Sequence, residues 1–244
     1  MTIEQCRENF FTMYLEATAV YEMVDRVAKE VVQLVNGSGE HRIACRRGCN
    51  TCCTVFIRVT FAEAAAIAQW LFDWSNTDRL NRLREKLAQW RRAAGPEVEM
   101  LEALATSYHI RLDSGSESQL FAEAVRAYHR RKLMCPFNAD DGSCDIYTLR
   151  PVVCRAYFVV DTSEGCGLDS NCEVGVLRHA KLTEIALLGQ RALREISAAA
   201  GYGTISALPV GVHRAFALLE DHLTLSPNSV QPAKTASCAS NQTQ

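Results

Sequence analysis

The chain has 244 residues, of which 48% are hydrophobic and 22% are charged, the balance of an ordinary globular protein. Its formal net charge is −2 and its pI is about 6.3, so no overall basic field supports nucleic acid binding. A chain of this length buries about 70–75% of its unfolded surface and needs no disulfides to fold. Its 11 cysteines therefore need another explanation.

Hydrophobic residues recur at helical spacing along most of the chain. The first helix is predicted over residues 2–36, with Thr2 and Gln5 at capping-box spacing. A second capping box, Thr60 with Glu63, opens a helix through Phe72, after a short strand or extended connector at 55–59. Further helices are predicted from Asn76 or Thr77 to Ala94, where Gly95-Pro96 ends the helix, and over residues 97–110, 118–133, 178–200 and 206–224.

The predicted fold is mainly α, an irregular helical bundle with two cysteine-rich metal-binding loops. It forms a single mostly helical domain over residues 1–225, with the cysteine-cluster core at 41–177. The tail at 226–244 is rich in Ser, Thr, Asn, Gln and Pro, has no periodicity, and is predicted to be disordered.

The expected location is the cytoplasm. No run of 18 or more apolar residues is present, so no membrane span or membrane partner is expected. The start of the chain lacks the basic and apolar regions of a signal peptide. Because thiols stay reduced in the cytosol, clustered cysteines indicate metal ligands or redox groups there.

Two loops hold nine of the 11 cysteines. The first loop reads C-x3-C-x2-C-C from Cys45 to Cys53, close enough for three or four sulfurs to converge. The second begins at Cys135-Pro136-Phe137, and its Asp141-Gly142 turn is expected to fold Cys144 back toward Cys135. Cys6 on a helix is expected to be a small buried hydrophobe, and Cys238 an idle thiol.

The string C-x3-C-x2-C-C, followed by C-P-F and then C-x-I-Y-x-x-R-P-x-x-C-R, resembles the YkgJ-like family of cysteine-cluster proteins, described as zinc- or iron-chelating. The resemblance covers Cys45 to about Cys172 and implies a metal site of about eight cysteines. Cys166 and Cys172 are both candidates for the eighth. The other matching positions are Cys45, Cys49, Cys52, Cys53, Cys135, Cys144 and Cys154. Flagellin lysine N-methylases carry a similar cluster, which implies protein modification as a further alternative.

An iron–sulfur cluster of the 4Fe-4S type is the expected cofactor. The two motifs contain no histidine, their spacings are irregular, and Cys135-Pro136 matches a cysteine–proline pair found in such proteins. Zinc is the alternative, although the paired C-x2-C knuckles of four-cysteine zinc sites are absent from the sequence. Cu(I) and a thiol–disulfide relay remain open as well. The ligands could form two sites or one.

Arg150 and Arg155 flank Cys154 and are predicted to bind the cofactor, because a four-thiolate cluster carries net negative charge. Arg150 could instead pair with Asp145 or Asp161 and hold the loop. The arginines and lysine at 79–92, with Trp90, form a basic helix that is expected to be a solvated face.

The sequence leaves three functions open. The first is an iron–sulfur protein that transfers electrons or supports chemistry on an unknown protein or small-molecule partner. The second is a structural zinc-binding interaction module. The third is a methylase-like enzyme, which the lack of a glycine-rich turn for S-adenosylmethionine disfavours.

Overall fold

The computed structural model describes residues 3–46, 48–74, 77–110, 115–162 and 175–224. Within them the chain forms seven helices and one two-stranded antiparallel sheet, so the predicted mainly α fold is confirmed. The helices are α1 (Ile3–Ser38), α2 (Phe61–Trp74), α3 (Thr77–Ile110), α4 (Gly115–Arg130), α5 (Val152–Ala156), α6 (Ala180–Ala199) and α7 (Leu208–Thr224). The strands are β1 (Arg58–Thr60) and β2 (Ile205–Ala207).

The main hydrophobic core lies where α1, α2, α6 and α7 meet. Phe10 of α1, Ile67 of α2 and Leu193 of α6 are fully buried there, together with Val212 of α7. The sequence of α2 is apolar on nearly every face, as expected of a helix at the centre of a bundle. Its small alanines allow α1 and α7 to pack closely against it.

The predicted capping box at the start of α2 is confirmed. Thr60 donates to Glu63 Oε2 from its backbone N at 2.9 Å and from its hydroxyl at 3.1 Å. The Glu63 N–H donates in return to Thr60 Oγ1 at 3.2 Å. The reciprocal bonds fix the point at which β1 becomes α2.

Helices α3 and α4 pack around a second, smaller core that includes Trp90, Leu101 and Tyr128. The predicted break at Gly95-Pro96 is confirmed as a kink inside α3, since Gly95 has a φ of 59° and a ψ of −153°. Trp90 Nε1 donates to the Tyr128 hydroxyl at 3.2 Å, which satisfies both buried groups.

Strand β2 is an element that the sequence did not predict. The helix expected over 206–224 begins at Leu208, and residues 205–207 pair instead with β1, Arg58 opposite Ala207 and Thr60 opposite Ile205. The connector predicted at 55–59 contributes only its last two residues to β1. Thr2 of the first predicted capping box and the tail at 226–244 lie outside the described residues.

None of the helices within the described ranges is both long and apolar enough to cross a lipid bilayer.

Gly189 of α6 is buried where α6 crosses α1, and a Cβ there would lie 2.8 Å from Val20 Cγ1. We expect Gly189→Ala to lower the free energy of unfolding, measured by urea denaturation. Overpacking costs about 1–3 kcal/mol, which outweighs the gain in helix propensity of about 1 kcal/mol.

Gly37→Ala in α1 is the matched control. Nothing lies within 4 Å of a Cβ at Gly37, so this change is expected to raise stability slightly. The double variant Val20→Ala/Gly189→Ala should recover part of the loss. Equal stability of Gly189→Ala and Gly37→Ala would contradict the close crossing of α1 and α6.

Candidate functional site

The first cysteine segment is an irregular loop between α1 and β1. Cys45 is held in place because the Val159 N–H donates to its sulfur at 3.3 Å, next to a backbone bond from Ala44 to Val159 of 2.8 Å. Cys52 and Cys53 lie in a short 3₁₀ turn rather than in extended backbone, and their thiols hydrogen-bond to each other. The 3₁₀ turn therefore keeps the thiols of Cys52 and Cys53 next to each other.

The second segment folds back on itself as predicted. Gly142 takes a φ of 82°, which glycine adopts without strain, and Asp141 accepts hydrogen bonds from the Ser143 backbone at 2.9 Å and hydroxyl at 2.6 Å. Asn138 then pairs with Cys144 in an antiparallel bridge, which confirms the predicted turn. Cys154 follows in α5.

The two segments meet in the folded protein. The Cys135 N–H donates to the Cys53 carbonyl at 2.8 Å, and Asn50 donates to the Asn138 side chain at 3.4 Å. Cys52 is the shared neighbour of the cysteines around it. Its electrostatic interactions reach Cys45 in its own segment and Cys135, Cys144 and Cys154 in the other.

Five thiols of this cluster have a pKa above the ordinary value of a cysteine. Burial raises the pKa of Cys45, Cys135 and Cys144, and it raises the pKa of Cys154 to about 12. The hydrogen bond with Cys53, followed by burial, raises the pKa of Cys52. Neutral buried thiols are poor nucleophiles, so any thiophilic metal has to displace protons to bind them.

Arg150 is the cation that interacts electrostatically with most of these thiols. Burial is the largest influence on the pKa of Cys45, Cys144 and Cys154, and the charge of Arg150 opposes it at all three. Its guanidinium lies 3.9 Å from the centre of the Tyr147 ring. Its Nε is buried and has no hydrogen-bond partner among the described residues.

The alternative prediction, an ion pair of Arg150 with Asp145 or Asp161, is wrong. Asp145 pairs with Arg79 at 3.6 Å, and Asp161 pairs with His41 at 2.7 Å. No ion pair of Arg150 with a carboxylate is found within the described ranges.

Arg155 turns into the core instead. Its side chain is 3% exposed, forms an ion pair with Asp25 of α1, and stacks 4.2 Å from the centre of the Tyr21 ring. It also donates to the Arg150 carbonyl at 2.7 Å and to the Thr148 carbonyl. Of the two predicted arginines, Arg155 holds the loop and interacts electrostatically with Cys154, whereas Arg150 interacts with Cys45, Cys52, Cys144 and Cys154.

Glu63 anchors the start of α5. Its side chain is 2% exposed, and its Oε1 accepts a hydrogen bond of 2.9 Å from the Val152 N–H, two residues before Cys154. Burial raises the pKa of this carboxyl, against the hydrogen bonds from Thr60 and Val152. The cap could be predicted from the sequence, but this second contact could not, because nothing in the spacing of Glu63 and Val152 indicates it.

The basic helix is not simply a solvated face. Lys86 of α3 donates to the Asn138 carbonyl at 3.0 Å, and Arg79 donates to the Asp145 carbonyl at 3.1 Å. For these two residues the prediction was wrong, because the second cysteine segment packs against α3 and needs donors for its carbonyls. The sequence did contain one signal for this contact: Arg79 and Lys86 are seven residues apart, which places them on the same face of the helix.

The predicted ligands are only partly described. Cys166 and Cys172 lie outside the described residues, as does Cys238, whereas Cys6 is fully buried as expected. Within the described ranges, no three histidine, cysteine, aspartate or glutamate side chains are grouped so that they could hold a metal ion. Eight cysteines there are free thiols, of which Cys6 is buried and the other seven are half-buried.

Comparison with protein-family models, with curated proteins and with solved structures found no match to this chain.

We expect Glu63→Gln to lower the free energy of unfolding by about 1–3 kcal/mol, measured by urea denaturation. Glutamine has one acceptor oxygen, so its amide nitrogen would face either the Val152 N–H or the Thr60 N–H. Glu184→Gln, at an exposed position of α6, is the control and should have little effect. If both variants unfold alike, the anchoring role of Glu63 is refuted.

Proposed function

We propose that the cysteine cluster binds a soft metal centre, with an iron–sulfur cluster of the 4Fe-4S type as the first assignment. The donor set supports the proposal. Four thiols from two distant segments interact electrostatically with Cys52. An all-sulfur set favours iron–sulfur clusters, zinc or Cu(I) over metals that prefer oxygen ligands.

The position of Arg150 is the observation that carries the proposal. Neutral thiols have no need of a guanidinium beside them, whereas a cluster held by four thiolates is negatively charged. Arg150 acts electrostatically on four of the thiols and retains a buried Nε without a partner among the described residues. A cation with a spare donor next to the ligands is the arrangement that tunes and stabilises metal sites.

A bound metal would have to draw the thiols closer together, because within the described residues they are not grouped closely enough to hold a metal ion. Metal binding and local folding are coupled in this way in many cysteine sites. When bound, an iron–sulfur cluster would supply one-electron chemistry. The protein would hold the thiols away from water and place Arg150 beside them. Free thiols need a reducing compartment, so the proposal includes a cytoplasmic location.

Anaerobic purification followed by elemental analysis tests the assignment. An iron–sulfur protein would be brown, with matching amounts of iron and acid-labile sulfide. A colourless protein with stoichiometric zinc would replace the first assignment with the structural zinc alternative. A protein that takes up neither metal after anaerobic reconstitution would refute the proposal as a whole.

We expect Cys52→Ser to lose most of the bound metal, because Cys52 is the shared neighbour of the thiols in both segments. Metal content per chain after anaerobic reconstitution is the measurement. Cys6→Ala is the matched control, since Cys6 is buried in the main core with no thiol partner in the cluster, and it should keep the metal. Equal metal content in the two variants would show that Cys52 is not a ligand.

We expect Arg150→Gln to weaken metal retention by about 10–100-fold, the usual effect of removing a partner next to the ligands. The measurement is the chelator concentration that removes half of the metal. Arg150→Lys keeps the positive charge and should lose less. If Arg150→Gln retains metal as the unchanged protein does, the guanidinium does not serve the site.

A further inference from the structure

A groove lies between the first half of α3 and α7, and we call it the α3–α7 groove. It has a volume of about 530 Å³, within the range of small-molecule sites, and no cysteine lines it. Its floor is apolar and is formed by Leu83, Leu87 and Trp90 of α3 and by Val210 and Phe216 of α7. It is therefore separate from the cysteine cluster.

The two helices run antiparallel along the groove. Arg84 of α3 forms an ion pair with Glu220 near the end of α7, whereas Trp90 packs with Val210 near the start of α7. Arg84 also lies 5.7 Å above the Phe216 ring. The pair of Arg84 and Glu220 thus closes one end across the two helices.

Arginines mark the other end of the groove. Arg91 and Arg92 line it there, so the groove has three arginines and one glutamate, a surplus of two positive charges. Arg91 also attracts Glu102, but that carboxylate already accepts bonds from Arg214 at 3.0 Å and from the Ala207 N–H at 3.1 Å. Arg92 is exposed.

From this arrangement we propose that the α3–α7 groove binds an amphipathic carboxylate, a fatty-acid-like anion. Its apolar chain would lie on the floor between Leu83 and Phe216, and its carboxylate would meet Arg91 and Arg92. Arginine suits this role because its planar guanidinium matches a carboxylate. A second copy of this chain is a poorer occupant, since a symmetric contact would bring two positively charged grooves together.

Calorimetric titration with decanoate, below its micelle concentration, tests the proposal on the full chain. Decanol and decyltrimethylammonium have the same alkyl chain with a neutral and a cationic head. Decanoate is expected to bind clearly more tightly than decanol, and the cation not at all. Equal binding of decanoate and decanol would overturn the proposal, as would a protein that dimerises through this face and ignores decanoate.

Two pairs of variants locate the site. Ala88 is exposed and lines the groove, so Ala88→Phe should abolish decanoate binding, whereas Gln89→Phe, on the neighbouring exposed position, should not. Arg92→Gln should weaken binding about two- to fivefold, as for an exposed ion pair. Arg82→Gln on the same helix, outside the groove, should leave it unchanged.

All four variants change exposed side chains, and circular dichroism with thermal unfolding checks that each one folds. Decanoate binding that survives Ala88→Phe, or that falls equally in Arg82→Gln and Arg92→Gln, would overturn the assignment to this groove.

Discussion

The buried carboxylate of Glu63 is the constraint on which the rest of the structure depends. It accepts hydrogen bonds from Thr60, where β1 becomes α2, and from Val152, where α5 begins. A carboxylate buried without such partners would cost several kcal/mol. Because Val152 is 89 residues away from Glu63 in the chain, this hydrogen bond also fixes the start of the short helix that carries Cys154. The position of that thiol is therefore set by the core.

Charged side chains link the second cysteine segment to the helices. Asp25 of α1 pairs with Arg155, which in turn holds the carbonyls of Thr148 and Arg150. Lys86 of α3 donates to the Asn138 carbonyl, between Cys135 and Cys144 of the same segment. A cysteine segment held by such contacts differs from a zinc finger, whose fold requires the metal. In the proposed function, the hydrophobic core forms without the metal, and the metal orders only the thiols.

Local patterns predicted the elements whose signals lie within a few residues. The helical periodicity, the capping box at Thr60 and Glu63, the kink at Gly95 and the turn at Gly142 are all confirmed. Strand β2 was missed because a three-residue strand exists only through its pairing with β1, far along the chain. The role of Lys86 was missed because its seven-residue spacing from Arg79 indicates a shared helix face but not that a loop packs against that face.

The sequence alone determined the helical class, the two cysteine segments and the turn that folds the second segment back. These follow from spacing and from the conformational preferences of single residues, which act locally. Only the tertiary structure decided how the surroundings of the two arginines next to Cys154 differ. Arg150 and Arg155 both flank Cys154 in the sequence, yet Asp25 and Tyr21 draw Arg155 into the core and leave Arg150 beside the sulfurs. A long charged side chain points wherever folding supplies a partner for its charge, and those partners come from elements distant in sequence.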